Sequence, residues 1–234
     1  MSTQLPPTRV EVSLSALRNN VQNFIRIIHP QSRVLPVVKS NAYGHGIVIA
    51  SHLEDLVIGF GVINVSEGIA LRKLGIKKRI IVLGATQTKQ EWQWAQKYKI
   101  ETGISDSSFI SQLSAKLPPL QVHIELNTGF NRLGITPQQL EILFQEIKSP
   151  HVQVRGIYSH LADSENPASR QTNDQLKQFQ TVLKKNNLIT NKLDKHIAAS
   201  AGALLFPKSH YDFVRVGISL YGFWPSQETK ESFF

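Results

Sequence analysis

A lysine that follows an apolar segment near the start of the chain is the first candidate for chemistry. Lys39 comes directly after "VLPVV" (34–38), and the short stretch "SNAYGHG" (40–46) follows it. An apolar setting disfavours the charged ammonium, which leaves more free amine to attack a carbonyl carbon. Lys39 is therefore a candidate nucleophile at the end of a buried strand.

Further polar residues stand at the ends of other apolar, strand-like segments. They are Asn127 and Arg132 around the fifth such segment, His160 at the end of the sixth, Ser200 at the end of the seventh, and Arg215 with Gly217 at the end of the eighth. In a β/α barrel the carboxyl ends of the strands form one mouth, so these side chains are expected to face one site. A single strand-end Arg or His is usually structural, and it is the convergence that favours a function.

Two glycine-bearing segments suggest what this site binds. "AASAG" (198–202) and "RVGIS" (215–219) follow the seventh and eighth strand segments, where β/α barrels often bind phosphate through backbone N–H groups. An amine nucleophile beside a phosphate site suggests a phosphorylated aldehyde, and pyridoxal 5′-phosphate (PLP) fits that description. Aldolase-type barrels also use such a lysine, so the residues alone leave both readings open.

Eight strand segments that alternate with helical segments must position these residues. The strand segments are 34–40, 58–63, 79–84, 100–105, 122–127, 154–160, 195–200 and 213–217. An amphipathic helix over about 13–28, with Ser13 as N-cap, precedes them, and a long helix over 166–187 separates the sixth from the seventh. The alternation predicts an α/β fold, a parallel (β/α)8 TIM-type barrel forming a single domain over 1–234; a doubly wound open sheet is the alternative.

Composition limits the class of protein. Hydrophobic residues make up 41% and charged residues 18% of the 234 residues, which is typical of a globular protein. The absence of cysteine excludes disulfides and thiolate metal sites. Lysines and arginines are scattered despite the net charge of +9, and no apolar run approaches a membrane span. We expect a cytoplasmic protein that binds neither nucleic acid nor membrane, and the dispersed histidines argue against a metal-dependent barrel hydrolase.

The motif around the lysine carries a family resemblance. "VVKSNAYGHG" (37–46) resembles the PLP-lysine motif of the alanine racemase family, fold type III PLP enzymes with an N-terminal barrel. The resemblance continues in order through "GFGVINVSEGIALRKLGI", "ELNTGFNRLG", "GIYSHLADSE", "HIAASAGAL" and "VRVGISLYG". It covers nearly the whole chain.

The resemblance implies roles for the matching residues. Lys39 would hold PLP as an internal aldimine and act as the base on one face of the substrate Cα, and Arg132 would approach the phenolic oxygen of PLP and the substrate carboxylate. Arg215 would lie against the pyridine nitrogen, with His160 beside the ring to orient Arg215. The residues that would bind the phosphate are Tyr43, Ser200, Gly217 and Ile218. The implied reaction interconverts L-alanine and D-alanine for peptidoglycan.

Several positions depart from the family pattern. Glu125 stands where many members have a carbamylated lysine, and we hypothesise that its carboxylate pairs with Arg132. Asn127 stands where the family usually has Asp, and Ala199 stands where it often has Asn. Family racemases also continue into a C-terminal β domain, which supplies a catalytic tyrosine to the partner subunit of a homodimer. That domain is missing from this chain.

The missing domain leaves two functions open. The first is an alanine racemase represented by its PLP-binding barrel, which the motifs favour. The second is a single-domain PLP-binding carrier without racemase activity, which the length of 234 residues favours. None of the five tyrosines of the chain is a convincing second base for racemisation.

Overall fold

The structure is a computed structural model that describes residues 10–189 and 192–233. Its first helix, α1, spans Leu14–Ile27. The hydroxyl of Ser13 accepts a hydrogen bond from the backbone N–H of Ala16 at 3.2 Å, so the predicted N-cap is confirmed. Leu17, Val21 and Phe24 are buried on the inner face of this helix.

All eight predicted strand segments contain or overlap a strand. The strands are β1 (Arg33–Pro36), β2 (Gly59–Val62), β3 (Arg79–Val82), β4 (Glu101–Ile104), β5 (Leu120–Glu125), β6 (Val152–Tyr158), β7 (Asp194–His196) and β8 (Phe213–Val216). The remaining helices are α2 (Lys39–Tyr43), α3 (Val65–Lys73), α4 (Lys89–Tyr98), α5 (Leu140–Glu146), α6 (Arg170–Lys185), α7 (Ser200–Leu205) and α8 (Gln227–Phe233). Short 3-10 helices span Ile47–His52, Ser108–Gln112, Pro207–Ser209 and Ile218–Tyr221.

The strands pair in parallel and mostly in chain order. β2 to β7 form one curled six-stranded sheet in the order β2-β3-β4-β5-β6-β7, and β1 pairs with β8. A doubly wound sheet would show a reversal of strand order, and the sequential order of these six strands has none. The predicted α/β fold with a parallel sheet is thus confirmed, and every strand end that carries a predicted site residue points the same way.

Apolar side chains form two clusters on the two sides of the strands. The larger cluster includes Phe60, Leu71 and Phe179, which are fully buried between strands and helices. The smaller consists of Leu35, Ile81 and Phe213. Full burial of a phenylalanine side chain stabilises the fold by roughly 1.5–3 kcal/mol, so both clusters hold the strands in register.

The sixth helix is shorter than the sequence pattern predicts. It begins at Arg170 rather than near 166, because Ser169 caps it by accepting a hydrogen bond from the N–H of Thr172 at 3.1 Å. Residues 166–168 form a turn in which Asn166 accepts from the N–H of Ala168. Within the described parts of the chain, no helix is both long and apolar enough to cross a membrane.

Candidate active site

A cavity of about 770 Å³ lies at the carboxyl ends of the strands. The residues predicted for this site line it, with the exception of Asn127. The side chain of Asn127 instead makes hydrogen bonds within its own loop, accepting from the N–H groups of Gly129 and Asn131. The lining includes Lys39, Tyr43, Arg132, His160, Ser200, Arg215, Gly217 and Ile218. The predicted convergence on one mouth is therefore present in the structure.

Lys39 stands at the start of a strained backbone segment. Residues 40–43 all adopt left-handed conformations, with φ values of 53°, 53°, 56° and 53°. Left-handed backbone costs roughly 1–2 kcal/mol for each residue with a side chain, so surrounding contacts must hold it. Glu67 of α3 supplies them: its carboxylate accepts hydrogen bonds from the N–H of Ser40 at 2.6 Å and of Ile63 at 2.9 Å. The turn thereby directs the half-buried Lys39 into the cavity.

Hydroxyl and N–H groups collect on the side of the cavity next to β8. The hydroxyl oxygen of Ser200 accepts from the N–H of Gly217 at 3.0 Å and of Ser219 at 3.5 Å. A Cβ added to Gly217 would lie 2.7 Å from the hydroxyl oxygen of Tyr43, so this hydroxyl adjoins the same backbone. Burial raises the pKa of Tyr43, which keeps its phenol protonated as a donor. Such a set of donors suits an anion like phosphate.

Arg215 is buried, and both of its terminal nitrogens make hydrogen bonds. Its Nη1 lies 2.9 Å from Nδ1 of His196. Its Nη2 donates to the carbonyl oxygens of Ser159 and Ile197 at 2.9 and 3.0 Å and lies 3.0 Å from Nδ1 of His160. Burial lowers the pKa of Arg215 to about 10, so the guanidinium remains cationic at neutral pH. The side chain is thus held in one orientation.

His160 makes the predicted contact with Arg215 and is neutral. Burial, together with the positive charges of Arg215 and Arg132, lowers the pKa of His160 to about 3. The ring of Phe130 meets it edge to face with the centroids 4.9 Å apart. The guanidinium carbon of Arg132 lies 4.4 Å from the centroid of the same Phe130 ring. Phe130 therefore links the two predicted residues at the cavity wall.

Glu125 does not make the hypothesised ion pair with Arg132. Among the described residues no salt bridge joins the two, and Glu125 instead accepts a hydrogen bond from the hydroxyl of Tyr158 at 2.9 Å. The reason is geometric, because the guanidinium of Arg132 lies over the ring of Phe130 while Glu125 is buried in β5. Burial raises the pKa of Glu125, and the bond from Tyr158 opposes that rise.

A row of buried polar side chains that the sequence patterns did not predict lies beneath Arg215. His196 contacts His123, His123 contacts Glu101, and Glu101 forms a salt bridge with Arg79. The available signal was the presence of charged and imidazole side chains inside strands that are otherwise apolar. Such groups are costly to bury unless they find partners, so they must pair with one another. Within the described residues, no three His, Cys, Asp or Glu side chains are grouped to hold a metal ion.

The fold and the site define a parallel β/α domain whose cavity gathers a lysine, a buried arginine and an anion-binding set of donors. Residues 12–225 match the family model described as alanine racemase, N-terminal domain. The chain belongs to the alanine racemase family.

Individual alanine racemases are also similar to this chain in sequence and in structure. The chain is 35% identical to the alanine racemase of Nostoc sp. over 227 residues, which cover 93% of this chain and 59% of that protein. It is 35% identical to the alanine racemase of Haemophilus influenzae, with 97% and 63% covered. The crystal structure of alanine racemase from Streptomyces lavendulae superposes with a TM-score of 0.87 at 30% identity, covering 96% of this chain and 62% of the other. The chain thus spans about three fifths of the length of these relatives.

Proposed function

We propose that this chain is the PLP-binding barrel of an alanine racemase that interconverts L-alanine and D-alanine. The observation that carries the proposal is the convergence of Lys39, the Arg215–His160 pair and the donors around Gly217 on one cavity. The names of the relatives give the substrate. D-alanine formed by the whole protein would serve peptidoglycan synthesis.

The proposal includes a closed barrel of eight strands. Two sets of backbone hydrogen bonds support closure. The N–H of Val38 donates to the carbonyl oxygen of Gly61 at 2.8 Å, which joins the chain after β1 to β2. The N–H of Asp212 donates to the carbonyl oxygen of Lys195 at 3.0 Å, which joins the start of β8 to β7. Closure would place all eight carboxyl ends around one cavity.

The residues of the cavity suit PLP in three places. The amine of Lys39 matches the aldehyde, and the guanidinium of Arg215 matches the pyridine nitrogen. The residues suited to the phosphate are Tyr43, Ser200, Gly217 and Ile218. When bound, PLP would supply an electron-withdrawing ring that stabilises negative charge at the substrate Cα.

Four side chains of this chain would each have a distinct role in the reaction. Lys39 would hold the cofactor aldehyde, and its amine, once displaced by the substrate amine, would take or return the proton on one face of Cα. Arg132 would bind the substrate carboxylate through charge-assisted hydrogen bonds and approach the cofactor phenolic oxygen. Arg215 would donate a hydrogen bond to the pyridine nitrogen and keep its own proton, because a guanidinium at neutral pH stays charged. His160 accepts from Arg215 and holds it in place.

Racemisation needs proton transfer on both faces of Cα, so a second base is required. Tyr158 is buried and donates to Glu125, and Tyr221 donates to the carbonyl oxygen of Val37. Tyr43 adjoins Gly217 in the proposed phosphate site. We therefore assign the second base to a tyrosine from the C-terminal domain of the partner subunit in a homodimer, as the family resemblance implies.

The test is to incubate the chain with PLP and L-alanine in D₂O and to separate the alanine enantiomers. Deuterium in L-alanine alone is expected, since Lys39 serves one face and the second base is supplied elsewhere. Deuterated D-alanine would show that both bases lie within this chain. Absence of exchange, equal to that of a Lys39→Ala control, would contradict the proposal and favour the PLP-binding carrier.

A further inference from the structure

A continuous row of hydrogen bonds runs from the cavity into the interior of the strands. Nη1 of Arg215 lies 2.9 Å from Nδ1 of His196, and Nε2 of His196 lies 3.1 Å from Nδ1 of His123. Nε2 of His123 lies 2.8 Å from Oε2 of Glu101. The row therefore joins the candidate cofactor partner, Arg215, to a carboxylate three side chains away. Both imidazoles are fully buried, so water does not complete their hydrogen bonding.

The groups at the two ends of the row, a guanidinium and a carboxylate, determine which atom donates in each of its hydrogen bonds. A guanidinium only donates, so Nδ1 of His196 must accept from Arg215, and the hydrogen of that ring is on Nε2. This hydrogen is donated to Nδ1 of His123, whose own hydrogen on Nε2 is donated to Glu101. Nη2 of Arg79 also lies 3.3 Å from Nε2 of His123, but the contact with Glu101 is shorter, at 2.8 Å. An ionised carboxylate only accepts. Any other tautomer, or a protonated imidazole, would bring two hydrogens face to face at one of the three contacts.

Glu101 is held as an anion at the far end. Burial opposes ionisation, but hydrogen bonds from Arg79 and His123 bring the pKa of Glu101 down to about 2. Arg79 donates to both oxygens, from Nε at 2.7 Å and from Nη2 at 2.6 Å. Arg79 is itself anchored by Asp194 at 2.7 Å. The accepting end of the row is thus rigid.

The row also determines which hydrogen Arg215 can offer to a ligand. Nη1 is engaged by His196, and Nη2 is engaged by His160 and two carbonyl oxygens. Among the described residues no hydrogen bond involves Nε of Arg215, although the side chain lines the cavity. The Nε–H and the second hydrogen of Nη1 are therefore the donors that remain for a molecule in the cavity.

We propose that Glu101 is a positioning residue that acts through His123 and His196 to fix the orientation of Arg215 and the hydrogen that Arg215 offers to the cofactor ring. The inference rests on the proposed function, because the ring is that of PLP. Glu101 itself does not line the cavity. A purely structural Glu101–Arg79 ion pair would stabilise the strands without affecting Arg215 or a bound cofactor.

The informative variant is Glu101→Gln, which keeps the shape of the side chain. Both carboxylate oxygens accept hydrogen bonds, so an amide NH₂ in either position would face a donor of Arg79 or His123. Glu141→Gln, an exposed carboxylate on α5, is the matched control.

The first measurement needs no cofactor. Long-range ¹H–¹⁵N spectra of the protein without PLP are expected to show His123 and His196 as neutral Nε2–H tautomers. In Glu101→Gln the imidazole ¹⁵N resonances of both rings should shift, because a neutral amide replaces the anionic acceptor of the row, and in Glu141→Gln they should stay in place. A hydrogen on Nδ1 of either ring in the unaltered protein, or unchanged ring resonances in Glu101→Gln, would overturn the proposal even if the variant were poorly stable.

The second measurement is PLP binding followed by visible absorption. Glu101→Gln is expected to weaken PLP binding by about tenfold, the value of one lost charge-assisted hydrogen bond, and to shift the absorption maximum of the bound cofactor. A lower unfolding midpoint with an unchanged affinity and spectrum would mean a structural ion pair only. If the unaltered protein did not bind PLP, the proposed function would fail, while the tautomer spectra would still decide whether Glu101 controls the row.

Discussion

The hydroxyl of Tyr43 fills the space beside Gly217 in which any other residue would carry its side chain. A Cβ on Gly217 would lie 2.7 Å from this oxygen, and the ring of Tyr43 packs on that of Tyr221 with the centroids 4.9 Å apart. The turn after β1 and the segment after β8 therefore meet at one point. This contact brings the lysine and the proposed phosphate-binding donors to the same cavity.

Replacing Gly217 by alanine should weaken PLP binding. The added methyl group would collide with the Tyr43 hydroxyl and displace one of the proposed phosphate donors, so we expect about a tenfold rise in the dissociation constant. Absorbance titration with PLP measures it. The collision should also lower the free energy of unfolding of Gly217→Ala. The double variant Gly217→Ala/Tyr43→Phe lacks the colliding hydroxyl, so its free energy of unfolding should return toward that of the unaltered protein. Its affinity for PLP should stay low, because the phosphate donor is lost. Unaltered affinity in Gly217→Ala would refute the assignment of this corner to the phosphate.

Removing the carboxylate of Glu67 should destabilise the turn that carries Lys39. Glu67→Ala removes the acceptor of the N–H groups of Ser40 and Ile63, and because both bonds are exposed to water the cost should be about 0.5–1.5 kcal/mol. Urea unfolding measures this loss, and Glu141→Ala, on the exposed face of α5, is the control. Glu67→Gln should cost less, because the amide oxygen can still accept. Equal unfolding free energies for Glu67→Ala and Glu141→Ala would argue against this role.

The neutral state of His160 should make the fold sensitive to acid. Its pKa is about 3 in the folded protein against an ordinary value of 6.5, so below 6.5 the unfolded chain binds a proton that the folded chain does not. The free energy of unfolding should therefore fall as pH drops from 6.5 toward 3, by at most about 1.4 kcal/mol per pH unit for this group. His196, whose pKa burial also lowers, acts in the same direction.

The control for this pH dependence is His160→Asn, whose amide oxygen can still accept from Arg215. Urea unfolding at several pH values should show that the free energy of unfolding depends less steeply on pH in this variant. The difference in slope should correspond to the uptake of at most one proton. A slope identical to that of the unaltered protein would mean that His160 is protonated in the fold, contrary to its contact with the Arg215 guanidinium.

Removing the hydroxyl of Tyr158 should raise the pKa of Glu125 further. Burial already raises this pKa, and the hydrogen bond from Tyr158 is the first contact that opposes the rise. Because the pKa of Glu125 is higher in the folded protein than in the unfolded chain, the free energy of unfolding falls as pH rises from 4.5 to the folded pKa. Tyr158→Phe should extend this pH range upward. Carboxyl ¹³C NMR of Glu125 across pH measures the shift. A lower pKa for Glu125 in Tyr158→Phe would contradict the hydrogen bond.

Local patterns in the sequence were sufficient for the elements and for the main residues of the site. Segments of five to seven residues rich in apolar side chains predicted all eight strands, because burial on a sheet selects such segments independently of their neighbours. The side chains that follow those runs had to share one edge of a parallel arrangement. Lys39, His160, Ser200 and Arg215 were therefore predicted to face one cavity, and all four line it.

Only the tertiary structure decided which partner each polar group would take. Glu125 was expected to pair with Arg132, seven positions along the chain, yet its partner is Tyr158 on the neighbouring strand. The row from Arg215 to Glu101 joins four strands, and the left-handed turn at 40–43 depends on a carboxylate from α3. Hydrophobic periodicity is a property of a short stretch of chain. A buried hydrogen bond instead requires that segments far apart in sequence be placed to within a few tenths of an ångström.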